Sequence, residues 1–402
     1  MDGAVFMFDK SEKAFPAKKN NLFLSHCAIS PMQCHAKEAA QEFLDAMAEG
    51  GVSRLPAFYN LLPKFHQKCA GLFKTDAGNI SSVHNTAEGM CLIANGYPFQ
   101  PGDEIISYIH EFPSNHYPWR LQEKRGVKLV LLGDSDPIGT FADVDSPRGW
   151  SMEELERKVS TRTRLIALSH VQFSTGYAAD LQQLGAFCKE RNIDLVIDGA
   201  QSVGCLPLYP EEYNVSAVAV SCWKWLMGPF GSGILYTSEA FRNKIELTMV
   251  GSSSMQQGIE YLDHTWNPHE DGRKFEYSTL SWEHLAALNA LLDTVFLRYS
   301  MGDVLTEVLR LQDLFLQFLD PDLFRPLLFP ESNRSGILAI LPQCNPGELV
   351  AKLGKQGIVV TQRSEYIRIA PHFYLDDEDM KRAAECLNVV AVGDRKNVTN
   401  VY

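Results

Sequence analysis

Two apolar runs end on residues that could work together chemically. "IDLVIDG" (193–199) closes on Asp198, and "AVAVSC" (217–222) leads into "SCWKWLMGPFGSG", which carries Lys224 between two tryptophans. A lysine ammonium is costly to desolvate unless it finds a partner or gives up its charge. Two readings follow. The side chain can lay its stem on apolar neighbours with its head in water. Alternatively, a desolvated amine can condense with an aldehyde to form an imine. An acid closing a buried strand is in turn a metal ligand, a base or an ion-pair partner.

Together, a carboxylate and a lysine on successive strand ends suit pyridoxal phosphate. The lysine would hold the cofactor aldehyde. The aspartate would keep a pyridine nitrogen protonated, so that the ring accepts electrons from a carbanion at a substrate α-carbon. Gly199 and Ala200 let a ring lie against backbone, and Gln201 can donate to a ring oxygen. A phosphate needs several donors. "VHNTAEGM" (83–90) offers Thr86 and free amides at a predicted helix start. Ser221 and Trp223 add a hydroxyl and an indole N–H.

The elements that must position these groups read as alternating strands and helices. Buried strands are predicted over 103–109, 128–133, 163–171, 193–199, 217–222 and 233–238, with helices over 86–97, 151–160 and 180–192. Such alternation implies an α/β unit with a mostly parallel sheet, whose ligands bind at the carboxyl ends of the strands. Residues 248–275 are polar and irregular, and a long helical pattern over 282–319 breaks near Ser300–Asp303. The tail reads as strand (335–341), helix (345–357), strands (358–363 and 366–371) and helix (375–390). The expected division is a large domain, 20–275, and a smaller α+β domain, 276–402, joined by residues 1–19.

Composition narrows the function classes. The 402 residues carry a net charge of −12 with no basic run, which argues against nucleic acid or an anionic membrane as partner. Neither a signal peptide nor a stretch of about 20 apolar residues is found. The nine cysteines are scattered, as reduced thiols of a cytoplasmic protein would be. His26, Cys27, Cys34 and His35 can be drawn as a zinc site, but the close C-x-x-C knuckle is missing, and no metal is expected. The acids of "DDED" (376–379) answer a helix dipole.

The residues "IDGAQSVG…SCWK", with "HNTAEG" and "EFPSNHYPW" (111–119), resemble the class V aminotransferase family of fold type I pyridoxal-phosphate enzymes, which includes cysteine desulfurases, kynureninases and isopenicillin N epimerase. The resemblance implies a homodimer and assigns roles. Lys224 would be the Schiff-base lysine and acid/base. Asp198 would pair with the ring nitrogen and Gln201 with the ring oxygen. Thr86, the Ala87 amide and Ser221 would hold phosphate, and Phe112 would stack on the ring. Thr279 in "FEYSTLS" would reach the phosphate of the partner subunit, and Arg368 would clamp the substrate carboxylate. The implied reaction passes from deprotonation at the α-carbon to a quinonoid, with transamination as the leading outcome. β-Elimination of a C–S bond or epimerisation are alternatives; a zinc hydrolase or a non-catalytic cofactor-binding relative is more distant.

Departures from the family pattern matter too. Desulfurases usually have histidine where Phe112 stands. The asparagine often found near the ring oxygen is replaced by Phe173, with Gln172 or Ser174 as possible substitutes. The segment before Arg368, "AKLGKQGIVVTQRSEYI", has no cysteine, which disfavours a persulfide mechanism on that loop. His110, His116 and His170 fall near the predicted site.

Overall fold

The computed structural model of the chain describes residues 8–398. The stretches 1–7 and 399–402, assigned above to the smaller domain, lie outside the described residues. A seven-stranded sheet runs in the order Ile80–Val83, Gly233–Thr237, Ala217–Ser221, Asp194–Asp198, Thr163–Ser169, Glu104–Tyr108, Lys128–Leu132. Only Gly233–Thr237 runs against its neighbours. The other contacts are parallel. The inner strands are uninterrupted Val, Ile, Leu and Ala runs because helices cover both faces and leave no solvated side. Ile80–Val83 was not anticipated. Its "ISSV" has too few apolar residues to announce a strand, and it is recruited by pairing with Gly233–Thr237.

The predicted helices form as Thr86–Gly96, Met152–Lys158 and Leu181–Glu190, each with a capping side chain at its start, from Asn85, Ser151 and Asp180. The long helical pattern divides into Trp282–Leu291, a π turn over Leu292–Phe296, and Met301–Phe318, which begins at the Ser300 cap. Two further helices, Cys34–Gly50 and Leu61–Phe73, pack against Trp282–Leu291.

A second, antiparallel sheet is built from Thr361–Arg363, Tyr366–Ile369, Leu338–Pro342 and Phe324–Pro326. The single strand expected over 358–363 is two. Ile358–Val359 leaves this sheet and pairs in parallel with Leu22–Phe23. That pairing, continued by a bridge between Ser25 and Ala370, lays the N-terminal segment beside the hairpin that carries Arg368. Among the described residues no helix is long and apolar enough to cross a membrane.

Candidate active site

Asp198 and Lys224 reach one cavity because their strands are parallel neighbours, in register at Asp198 and Ala219. The chain leaves Ser221 in a tight turn: Gly228 N–H donates to Cys222 O at 2.8 Å and Met227 N–H to Lys224 O at 2.9 Å. Met227 takes φ 52°, a left-handed conformation that costs an unbranched residue about 1 kcal/mol and is tolerated where surrounding structure over-determines it. The turn holds Lys224 with its Nζ 5.3 Å from the centre of the Phe112 ring. The tryptophans part company. Trp225 is fully buried and donates its indole N–H to Gln201 Oε1 at 3.2 Å, whereas Trp223 stacks on Phe230 with ring centres 5.2 Å apart.

The cavity, of about 470 Å³, is lined by Thr86, Ala87, Phe112, Asp198, Gln201, Ser221, Trp223, Lys224 and Arg368, so nine of the residues singled out in the sequence converge on it. Thr279 does not; it is exposed and absent from this lining. None of His110, His116 and His170 lines the cavity. Neither do Gln172 and Ser174; the wall there is Phe173, set edge-on to Phe112 at 5.2 Å. Gln172 is turned inward to Glu111. The four-residue zinc site is not assembled. Both ring nitrogens of His26 are engaged, by Ala370 O and Tyr374 Oη. Among the described residues the ligand group near it is Cys34, His35 and Glu38, without His26 or Cys27. In the acidic run, Asp376 pairs with Lys18 and Asp377 with Arg310, which leaves neither carboxylate waiting for a cation.

One end of the cavity is made of neutral donors. Asn85 caps the Thr86–Gly96 helix by accepting from Glu88 N–H. Thr86 N–H donates to Ser221 Oγ at 3.1 Å, and the two hydroxyls lie 2.8 Å apart. Of the first three helical amides, that leaves the one of Ala87 without an acceptor among the described residues. Gly233 is required beside it: a Cβ there would sit 2.6 Å from Val220 O and 3.1 Å from Asn85 Cα. A free amide, two hydroxyls and a helix N-terminus form a donor set that fits a phosphate.

The other end is cationic. Arg368 is 1% exposed, so its guanidinium is held inside the molecule. It donates to Phe173 O at 2.6 Å and Thr361 Oγ1 at 2.8 Å, while its Nε has no partner. Burial pushes its pKa down, and no carboxylate among the described residues pairs with it. A buried guanidinium with a donor to spare fits an incoming carboxylate.

Between the ends, burial works on both ionisable groups. It lowers the pKa of Lys224 and raises that of Asp198, while their mutual attraction opposes both shifts. Burial dominates, so the amine gives up its proton more readily than an exposed lysine. Asp198 accepts from Ala200 N–H at 2.9 Å, which orients it. Gln201 spends one amide hydrogen on Cys27 O at 2.9 Å and has a second to offer the cavity.

Sequence reasoning missed three features. Cys27 lines the cavity, with Sγ 4.0 Å from Thr361 Oγ1, because the N-terminal segment is drawn in by pairings more than 300 residues away. Arg363 lines it as well. Behind Phe112, buried Glu111 accepts from Ser169, Gln172 and Asn115, and burial still pushes its pKa up to about 7. No local pattern flags any of the three; only the strand "TQR" alternation could have placed Arg363 on the face of Thr361.

Comparison with known proteins agrees with this architecture. Residues 26–370 match the family described as Aminotransferase class-V. A probable cysteine desulfurase of Pyrococcus abyssi is 28% identical over 61% of this chain and 60% of its own length, so this chain spans under two thirds of that relative. Among solved structures, the cystine C–S lyase C-DES in complex with its product cysteine persulfide superposes with a TM-score of 0.84 at 22% identity, covering 94% of this chain and 99% of that one. A cysteine desulfurase from Thermococcus onnurineus NA1 gives 0.82 at 22%, covering 96% and 97%. These likenesses establish the fold, and the family match establishes kinship and the cofactor. The chain belongs to the aminotransferase class-V family, and is a fold type I, pyridoxal-phosphate-dependent enzyme of the transferase or lyase type.

Proposed function

We propose that this enzyme cleaves the bond between Cβ and sulfur in an α-amino acid. The observation that carries the amino-acid reading is one cavity holding Lys224, Asp198 and a buried, acid-free Arg368. Thr86, the Ala87 amide and Ser221 would hold the cofactor phosphate, Asp198 would keep a proton at the pyridine nitrogen, and Gln201 would donate its spare N–H to the ring oxygen. Phe112 would cover the ring face, and Thr279 would serve the partner subunit in a homodimer. Pyridoxal phosphate so held supplies an aldehyde for the amino group and a conjugated ring that delocalises the electron pair left at Cα. Arg368 orients the substrate by its carboxylate. Lys224 Nζ, whose proton affinity burial lowers, takes the proton from Cα. The same ammonium then returns a proton to carbon or to the departing group.

Two things support the choice of a C–S bond over simple amino transfer. The relatives reported above are named for sulfur chemistry. In addition, the rings of Phe112 and Phe173 line the cavity, and aromatic edges suit a sulfur substituent. Transamination, which the sequence put first, is the second reading, favoured by relatives named as aminotransferases, such as YcbU of Bacillus subtilis, 19% identical over 94% of this chain.

The test is to add L-cysteine and L-cystine, with other L-amino acids as controls, to the purified holoenzyme. Release of reduced sulfur with retention of the cofactor's absorbance band is expected. Stoichiometric conversion of cofactor to its amine form, with no sulfur released, would replace the lyase by the transaminase. Lys224→Ala should cost at least about 10³-fold in either activity, as loss of a group that moves the proton itself does.

A further inference from the structure

The hairpin at the cationic end pairs Thr361 with Arg368 and Arg363 with Tyr366. Side chains two apart on a strand share a face, and so do directly opposed pairs. Thr361, Arg363 and Arg368 therefore project from one face, and Arg363 is the diagonal neighbour of Arg368, a separation of roughly 7–8 Å. Both arginines line the cavity.

Their charges are close enough to interfere. Arg363 lowers the proton affinity of Arg368, and both lower that of Lys224. Asp198 offsets this at Lys224, but no carboxylate among the described residues pairs with Arg368. Arg368 donates to two neutral oxygens, and Arg363 donates to Gln362 O at 2.7 Å. Asp198 is the one carboxylate of the lining, set against Lys224, Arg363 and Arg368. One substrate α-carboxylate would answer one arginine and leave the second facing the cavity without a counter-charge. Like charges that neighbour one another across a hairpin are unfavourable, the more so where one of them, Arg368, is buried, and anions that meet them relieve this.

We propose that the substrate is an α-amino acid whose side chain ends in a second anionic group, with Arg368 holding the α-carboxylate and Arg363 the distal anion. This deepens the reading above and rests on its placement of the α-carboxylate at Arg368. Arg363 is exposed and at the tip of a hairpin, so it can meet the outer end of a substrate while Arg368 meets the inner end. The residue acts on specificity and takes no part in moving protons.

The test is a spectral titration of the holoenzyme, reading the dissociation constant from the change in cofactor absorbance. The ligands are L-glutamate and L-cysteate against neutral L-glutamine, L-serine and L-cysteine. The expected result is at least tenfold tighter binding of the anionic set, with that ratio falling toward one in Arg363→Gln and recovering in part in Arg363→Lys. A ratio near one in the wild-type protein, or a ratio untouched by Arg363→Gln in a variant whose circular dichroism is native, overturns the proposal. A holoenzyme whose absorbance responds to no amino acid of either kind overturns the amino-acid reading beneath it instead.

Discussion

The two ends of the cavity offer an anion opposite kinds of donor. At the Thr86 end the donors are neutral: a helix N-terminus, the Ala87 amide and two hydroxyls. At the Arg368 end they are full charges, one of them buried without a counter-ion. A phosphate group that stays bound can be met by fixed dipoles, whose own burial costs little because they bond to one another in the meantime. Thr86 and Ser221 do so. A carboxylate that comes and goes needs a site that gains most when it is filled. A buried guanidinium with an idle Nε is such a site: it lowers the stability of the empty fold and contributes its full attraction only on binding.

That contrast can be broken at its strongest point. Arg368→Gln removes the charge and should weaken substrate binding by about 30-fold or more, since a charged hydrogen-bonded partner is worth roughly 2–5 kcal/mol. Its melting temperature should stay level or rise, because a buried uncompensated cation has gone. A fall of both affinity and melting temperature would mean that Arg368 is a structural residue.

Glu111, next to Phe112 in the chain, sharpens the comparison. Burial raises its folded pKa to about 7 from the ordinary 4.5. Between those pH values the folded chain therefore holds more protons than the unfolded one. Stability falls as pH rises through that window and is level above it, a change of about 3 kcal/mol at 1.36 kcal/mol per pKa unit. Glu111→Gln should remove that slope, which denaturant titrations at pH 5 and pH 7.5 would measure. A slope that persists in the variant would show that another group carries it.

The smallest effect belongs to the neutral end. Thr86→Ala and Ser221→Ala should each weaken cofactor affinity by about tenfold, as loss of one hydrogen bond to a charged group does. Because the two hydroxyls bond to each other, the double variant should lose less than the product of the singles. Equilibrium dialysis against pyridoxal phosphate measures this. Strict additivity would mean the hydroxyls do not act as one unit.

The legible parts of the molecule are those in which neighbours in sequence are neighbours in space. Runs such as "LVID" and "AVAVS" carry burial on both faces in their composition, so strand ends, and with them Asp198 and Lys224, could be located from the chain alone. The helix start at Thr86 was likewise legible in "VHNTAEGM". Arg368 could be named through family resemblance, but its burial could not. Nothing in the sequence placed Cys27 or Glu111 beside this cavity, and only strand alternation hinted at Arg363. Their positions depend on Leu22 meeting Ile358 and on Ser169 meeting Glu111, contacts between segments with no local pattern in common.

The sequence by itself therefore determined the alternating α/β scaffold, because hydrophobic periodicity is written within a few residues, and it pointed to the class of cofactor through Asp198, Lys224 and the family motifs around them. Only the tertiary structure decided which charges share the cavity and which go unanswered. Electrostatic balance is a sum over everything nearby, and most of what is near this site is remote along the chain.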